Sequence, residues 1–187
     1  MRNATIALAL LLFGCAPAKQ ESKTEKPELQ RVVEAIVNAC DKYDFPVDWA
    51  LAVCLTESGF KPGLTTYEKA ARENSFGLGQ VLYSTARWIK PGVSEKDLHN
   101  EEINADIFVQ HLRNLNRKHC GDMVRTLREY NGGTRWAKKN NHKYYLAVVR
   151  NKKLISEQEA YHEKSIFYDY YHALCLGVMR SAGLVRP

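Results

Sequence analysis

Between Val47 and Thr56 the chain places Ala50, Leu51, Val53, Cys54 and Leu55 so closely that a helix there is apolar on nearly every side. Such a helix can exist only inside a core that other elements build around it. The residues that follow are Glu57, Ser58, Gly59 and Phe60. A carboxyl group is thus delivered to the edge of an apolar interior, where burial disfavours its charge and raises its pKa. A carboxylic acid held neutral near pH 7 is what general acid catalysis needs. Gly59 permits the sharp exit from the helix, and Ser58 is placed for a local hydrogen bond.

The surrounding segments are helical in pattern. Leu29, Val32, Val33, Ile36, Val37 and Cys40 recur at helical spacing over 28–42, and Asp44-Phe45-Pro46 breaks the chain before 47–56. A short helix is predicted over 84–89, closed by Lys90-Pro91-Gly92, and a long amphipathic one over 100–118 with Ile103, Ile107, Phe108, Leu112 and Leu115. Asp122 is suited to cap 123–129, and 144–150 and 166–180 complete the set. No long alternating strand pattern exists, and at most a small hairpin fits between Lys61 and Gln80. The fold class expected is all-α, in one domain of roughly 160 residues, enough for one proper core.

Two further motifs follow Glu57 in order. Ser75-Phe76-Gly77-Leu78-Gly79-Gln80 is a glycine-broken loop carrying an amide, and Tyr130-Asn131-Gly132-Gly133 is a glycine turn carrying a phenol. With Ser84-Thr85-Ala86, the helix through Asn104 and Leu112, and Tyr145-Leu146-Ala147-Val148-Val149, the spacing from Val47 to Val149 resembles the lytic transglycosylases of the soluble lytic transglycosylase-like (SLT) family. These are lysozyme-like enzymes that cut bacterial peptidoglycan. The resemblance implies a lysozyme-like fold with Glu57 as the sole catalytic acid/base. Ser58, Gln80, Tyr130, Asn131 and Tyr145 would be substrate-binding, with Asn131 shaping the turn and Tyr145 lining the cleft near Glu57. It also implies cleavage between N-acetylmuramic acid and N-acetylglucosamine without water, giving 1,6-anhydro ends. No cofactor and no metal are implied, and peptidoglycan glycan strands are the partner.

Two departures matter. Asn74-Ser75 stands where many relatives carry Gly-Ala, and Glu68 and Glu73 lie where goose-type lysozymes hold acidic residues that orient a water. A carboxylate across the cleft from Glu57 at roughly 6.5–9.5 Å would allow inverting hydrolysis. The alternatives are a goose-type hydrolase and a peptidoglycan-binding lipoprotein without activity.

The amino terminus sets an expected compartment. Met1-Arg2-Asn3 precedes the apolar run Ala4 to Phe13, too short to span a membrane but suited to a signal peptide over 1–14. Leu12-Phe13-Gly14-Cys15 is similar to a bacterial lipobox, which makes Cys15 the expected lipidation site. Ala16, rather than Asp, points to the outer membrane facing the periplasm. Residues 15–27 hold no large apolar side chain and read as a solvated tether, able to reach roughly 35–40 Å when extended. Membrane association would be through that anchor alone.

The formal charge of +6, or +5 once Arg2 leaves with the leader, suits an anionic polymer such as peptidoglycan. Lys and Arg are scattered and no nucleic-acid motif is present, so nucleic acid is not expected, and a monomer is. Cys40, Cys54, Cys120 and Cys175 could form two disulfides in an oxidising space or stay as thiols, and no zinc-type spacing accompanies them. The Tyr- and His-rich segment 151–187 is expected to be an extra carboxy-terminal helix packed on the domain.

Overall fold

The computed structural model describes residues 26–138 and 141–159. Helices α1 (Glu28–Tyr43) and α2 (Val47–Glu57) are followed by strands β1 (Thr65–Glu68), β2 (Glu73–Phe76) and β3 (Val81–Leu82). Next come α3 (Tyr83–Ile89), a 3-10 turn at Lys96–His99, and α4 (Glu101–Lys118). After α5 (Met123–Gly132), a second 3-10 segment at Gly133–Lys138 leads to α6 (His142–Glu159). The expected helical fold is therefore present, with a sheet larger than a hairpin. Its strands run in the order β1-β2-β3, both pairings antiparallel, with Thr66 opposite Ser75 and Phe76 opposite Val81.

Helix α2 is the centre of the core, as its composition demands. Ala50, Leu51, Ala52, Val53 and Cys54 have no exposed surface. Its faces are covered by α1 and α6, while α1 packs along α4. Val32, Val33 and Ile36 of α1 meet Ile107, Phe108 and Leu112 of α4 in one continuous apolar cluster. Fully burying side chains of this size contributes about 1.5–3 kcal/mol each against solvent exposure. The ends are closed locally: Asn100 accepts from Ile103 N at 2.9 Å at the start of α4, and Asp122 from Arg125 N at 3.1 Å at the start of α5.

Helix α6 begins two residues before the expected start and runs through Arg150 to Glu159, so residues 151–159 extend α6 instead of opening a separate helix. The reason is tertiary. Lys152 Nζ pairs with Asp48 at 2.6 Å and lies 5.2 Å from the Trp49 ring centre. Asn151 donates to Thr56 Oγ1 at 2.9 Å, and Ile155 is fully buried. The helix expected over 166–180 lies outside the described residues, as do Cys15, the tether up to Glu25, and Cys175.

Cys40 and Cys54 are buried free thiols, and burial pushes each pKa up to about 12. Cys120 is an exposed free thiol. Among the described residues, no helix is long and apolar enough to cross a membrane, and no group of three or more His, Cys, Asp or Glu could hold a metal ion.

Candidate active site

Glu57 is the last residue of α2 and opens into a cleft of about 390 Å³. The chain leaves α2 through two consecutive left-handed residues, Gly59 (φ 58°) and Phe60 (φ 63°). The turn drives Phe60 back into the core, 3% exposed, so the helix end and its carboxyl group are fixed from below.

Ser58 is 6% exposed and turns away from the cleft. Its hydroxyl donates to Leu78 O at 2.8 Å and lies 3.2 Å from Cys54 O. Its position ties the 77–80 loop to the end of α2, in place of the substrate contact expected of it.

That loop is also held from the opposite side by Asn104, a fully buried residue of α4. Asn104 Oδ1 accepts from Gly79 N at 3.1 Å, and its Nδ2 donates to Phe76 O at 3.0 Å and Leu98 O at 2.9 Å. All three bonds use the amide within its donor and acceptor capacity. Gly79 has no room for a side chain, since a Cβ there would stand 2.6 Å from Phe108 Cγ and 2.8 Å from Tyr130 Oη. At Gly77 (φ 68°) a Cβ would meet Leu98 O at 2.5 Å. The glycines thus let the backbone lie against α4 and leave Gln80 at the cleft edge.

Gln80 lines the cleft in a left-handed conformation, φ 45°, which costs a non-glycine residue about 1 kcal/mol or more and is typical of functional loops. Its Nε2 donates to Gly77 O at 2.9 Å and Leu64 O at 3.3 Å, and its Oε1 accepts from Ser75 Oγ at 3.1 Å. Both amide protons are therefore committed, and one lone pair on Oε1 is left for a further donor.

Tyr130 and Asn131 lie in the last turn of α5 and line the same cleft. Tyr130 donates its hydroxyl to Gly79 O at 2.6 Å, joining α5 to the 77–80 loop, and its ring rests on His111 with centroids 5.3 Å apart. Asn131 is exposed at the cleft edge. It sits within the helix, and the turn itself is made by Gly133 (φ 60°).

The residue that reaches the carboxyl group is Tyr144, whose hydroxyl donates to Glu57 Oε1 at 2.6 Å. Tyr145 was expected near Glu57; its ring packs instead against His142, with centroids 5.8 Å apart. Adjacent helical residues point about 100° apart, and of the two it is Tyr144 that is turned to Glu57. Each is partly buried against the core.

The electrostatics favour a protonated Glu57. Burial raises its pKa to about 7, the Tyr144 hydrogen bond opposes that rise, and the negative charge of Glu68 adds to it. Burial holds the Tyr144 and Tyr130 phenols well above 10, helped in both by the Glu57 charge. Tyr144 therefore stays a donor across the physiological range. Glu57 Oε2 makes no hydrogen bond among the described residues.

The two remaining acidic candidates separate. Glu68 lines the cleft and takes only a weak contact from Ser75 Oγ at 3.4 Å. Glu73 is held outside it, accepting from Ser84 N at 2.9 Å and Ser84 Oγ at 2.6 Å, where it secures the first turn of α3. Glu129, on α5, lines the cleft as well but is closed off by Lys118 and His119, each at 2.6 Å. His111 is kept neutral, burial lowering its pKa to about 4, and its Nδ1 is buried without a hydrogen-bond partner among the described residues.

Residues 34–150, more than half of the chain, match the family model described as the transglycosylase SLT domain. A comparison with curated protein sequences finds no match. Among solved structures, the chain is similar to an inactive mutant of the lytic transglycosylase Slt from Pseudomonas aeruginosa, at 14% identity and a TM-score of 0.49, over 82% of this chain and 25% of that one. It is similar also to the 70 kDa soluble lytic transglycosylase from Escherichia coli, at 18% identity and a TM-score of 0.49, over 80% of this chain and 24% of that one. The chain thus spans about a quarter of the length of the solved structures it matches.

Proposed function

The chain belongs to the transglycosylase SLT domain family, and from that premise we propose that it is a peptidoglycan lytic transglycosylase in which Glu57 is both acid and base. The observation that carries this reading is the cleft-lining carboxyl group of Glu57 at the end of a buried helix, with a pKa raised to about 7 and one phenol bound to its Oε1. Glu57 Oε2 protonates the oxygen between N-acetylmuramic acid and N-acetylglucosamine as that bond breaks. Tyr144 holds the other oxygen and stabilises the carboxylate that forms. The neighbouring acetamide of the sugar supports the oxocarbenium-like state. Glu57, now a base, takes the proton of the C6 hydroxyl, whose oxygen closes the 1,6-anhydro ring. One carboxylate suffices because the substrate supplies the nucleophile. Tyr130, Gln80 and Asn131 form the walls against which the sugar and its N-acetyl group rest, and no cofactor is called for.

A second reading is favoured by one observation, Glu68 in the same cleft. If Glu68 orients a water opposite Glu57, the reaction is hydrolysis by a goose-type lysozyme route. The leader and Cys15 support a lipid-anchored protein at the periplasmic face of the outer membrane, a reading that metabolic labelling with a fatty acid and its loss in Cys15→Ser would test.

The activity is tested by incubating the purified protein, and its Glu57→Gln variant, with peptidoglycan and weighing the released fragments. Anhydro products absent from the variant establish the transglycosylase. Fragments one water heavier, with reducing ends, make the enzyme a hydrolase. No release from the intact protein would leave a binding protein.

A further inference from the structure

A sugar hydroxyl both gives and takes hydrogen bonds, but the carbonyl oxygen of an acetamide only accepts. A cleft that seats one needs a donor, and most of the inner side-chain donors here are spent. Tyr130 gives its hydroxyl proton to Gly79 O, and Gln80 gives its two amide protons to Gly77 O and Leu64 O. The Tyr144 hydroxyl is spent on Glu57. Asn131, Thr134 and Arg135 line the cleft as exposed residues, and the Thr85 hydroxyl serves as donor or acceptor alike. What remains is His111 of α4.

His111 lines the cleft, and its ring rests on Tyr130 with the planes tilted by 43°. Its Nδ1 is buried and has no hydrogen-bond partner among the described residues. A neutral imidazole carries one N–H and one bare nitrogen. A buried N–H without an acceptor is the rarer fault in folded proteins, and an unsatisfied acceptor the commoner. The proton therefore belongs on Nε2, the nitrogen left to the cleft. The ring also stays neutral at working pH, since burial outweighs the opposing charge of Glu129 and lowers the pKa to about 4. With Nδ1 sealed, His111 offers the cleft one donor and no acceptor.

We propose that His111 is a specificity-determining residue of this cleft, its Nε2–H donating to an acetamide carbonyl oxygen of the bound glycan strand. The proposal rests on the peptidoglycan reading of the Glu57 site and adds to it a residue that selects N-acetylated sugars. Gln80 Oε1, which accepts from Ser75 Oγ and keeps one lone pair, is the acceptor available to an acetamide N–H. A site built to hydrogen-bond a group rejects the analogue that lacks it, because its own polar atoms are then left unpaired.

Two measurements test this. Nitrogen NMR of protein carrying labelled histidine should find Nε2 protonated and Nδ1 bare, and the Nε2 proton should shift when soluble peptide-free glycan chains are added. A proton on Nδ1 overturns the proposal. For binding without catalysis, His111→Phe and His111→Gln are made in the Glu57→Gln background and titrated with the same chains, N-acetylated or de-N-acetylated. His111→Phe keeps a ring beside Tyr130 but loses the donor, and should bind N-acetylated chains about three- to tenfold more weakly, the worth of one hydrogen bond, with no change for de-N-acetylated chains. His111→Gln, whose amide can place an N–H near Nε2, should restore part of the loss. In the active protein the loss should fall on KM and leave kcat in place. Equal weakening for both chains, or none for either, overturns the proposal while the peptidoglycan reading stands. If Glu57→Gln with His111 intact binds neither chain, the peptidoglycan reading falls, and this proposal with it.

Discussion

Two glutamates line one cleft and have been driven in opposite directions. At Glu57 burial dominates and raises the pKa to about 7, because the only hydrogen-bond donor it meets among the described residues is the Tyr144 hydroxyl and the charge that acts on it is the anion Glu68. At Glu129 burial pushes the same way, yet Lys118 and His119 bind its two oxygens and hold the pKa below the ordinary carboxylate range. Depth alone does not decide the protonation state of a carboxyl group. What separates the two is whether a cation lies within hydrogen-bond reach, as Lys118 and His119 do at Glu129 and none does at Glu57 among the described residues. Helix α4 ends in Lys118 and is followed by His119, so α5 receives an ion pair, while α2 is apolar up to Glu57 and delivers an acid.

Exchanging each carboxylate for its amide should widen this contrast most. Glu57→Gln is expected to lower kcat by roughly 10²–10⁴-fold, the usual weight of general acid catalysis, while Glu129→Gln loses far less per folded molecule. Steady-state release of soluble fragments measures both. Comparable losses in the two variants would break the division between acid and ion pair.

The same two variants should diverge in stability, with opposite dependence on pH. Between the ordinary value of 4.5 and about 7, folded Glu57 keeps a proton that the unfolded chain gives up. The wild type therefore loses stability as pH rises through that window, and Glu57→Gln escapes the loss, gaining up to about 3 kcal/mol at pH 8 and nothing at pH 4. For Glu129 the folded value is depressed, so its contribution is complete above 4.5 and disappears as pH falls below it. Glu129→Gln should cost about 1–3 kcal/mol at pH 7, with the difference closing in acid. Urea titrations at a series of pH values will read both slopes.

Tyr144→Phe tests the remaining hydrogen bond. It removes the group that favours the charged form, so the alkaline limb of the pH–rate profile should move above about 7, while kcat falls roughly tenfold. Tyr145→Phe should leave that limb in place, since its ring is turned to His142.

This last pair also marks where the sequence stops being readable. The apolar composition of 47–56 announces both the central helix and the acid at its end, because one physical cause, an interior without partners, produces both. Helix limits likewise follow from local chemistry at Asn100 and Asp122. Which of two adjacent tyrosines faces Glu57 is set by the phase at which α6 docks on α2, and that is a tertiary fact. Asn104 carried a visible signal, a polar residue in the apolar stripe of Ile107 and Phe108, but its three backbone partners come from two separate segments, the end of β2 with the loop after it and the 3-10 turn. Strand β3 has two residues, too few for an alternating pattern. Past Arg150 the run Asn151-Lys152-Lys153 looks like a helix ending in solvent; Thr56 and Asp48 on α2 are what keep it helical.

The smallest expected change is at Glu68, and it bears on how far the two glutamates are independent. Its charge is the third influence on Glu57, after burial and Tyr144, and it raises the Glu57 pKa. Glu68→Gln removes that repulsion and should move the alkaline limb down from about 7, opposite to Tyr144→Phe. The loss in kcat/KM at neutral pH should stay within about tenfold, because a half-buried charge in a cleft open to solvent is substantially screened. Raising the salt concentration in the wild type should shift the limb in the same direction. A larger loss, confined to products carrying an added water, would mean that Glu68 holds the nucleophile. Glu57 would then be one of two working carboxylates, and the contrast with Glu129 would be between a catalytic pair and a structural one.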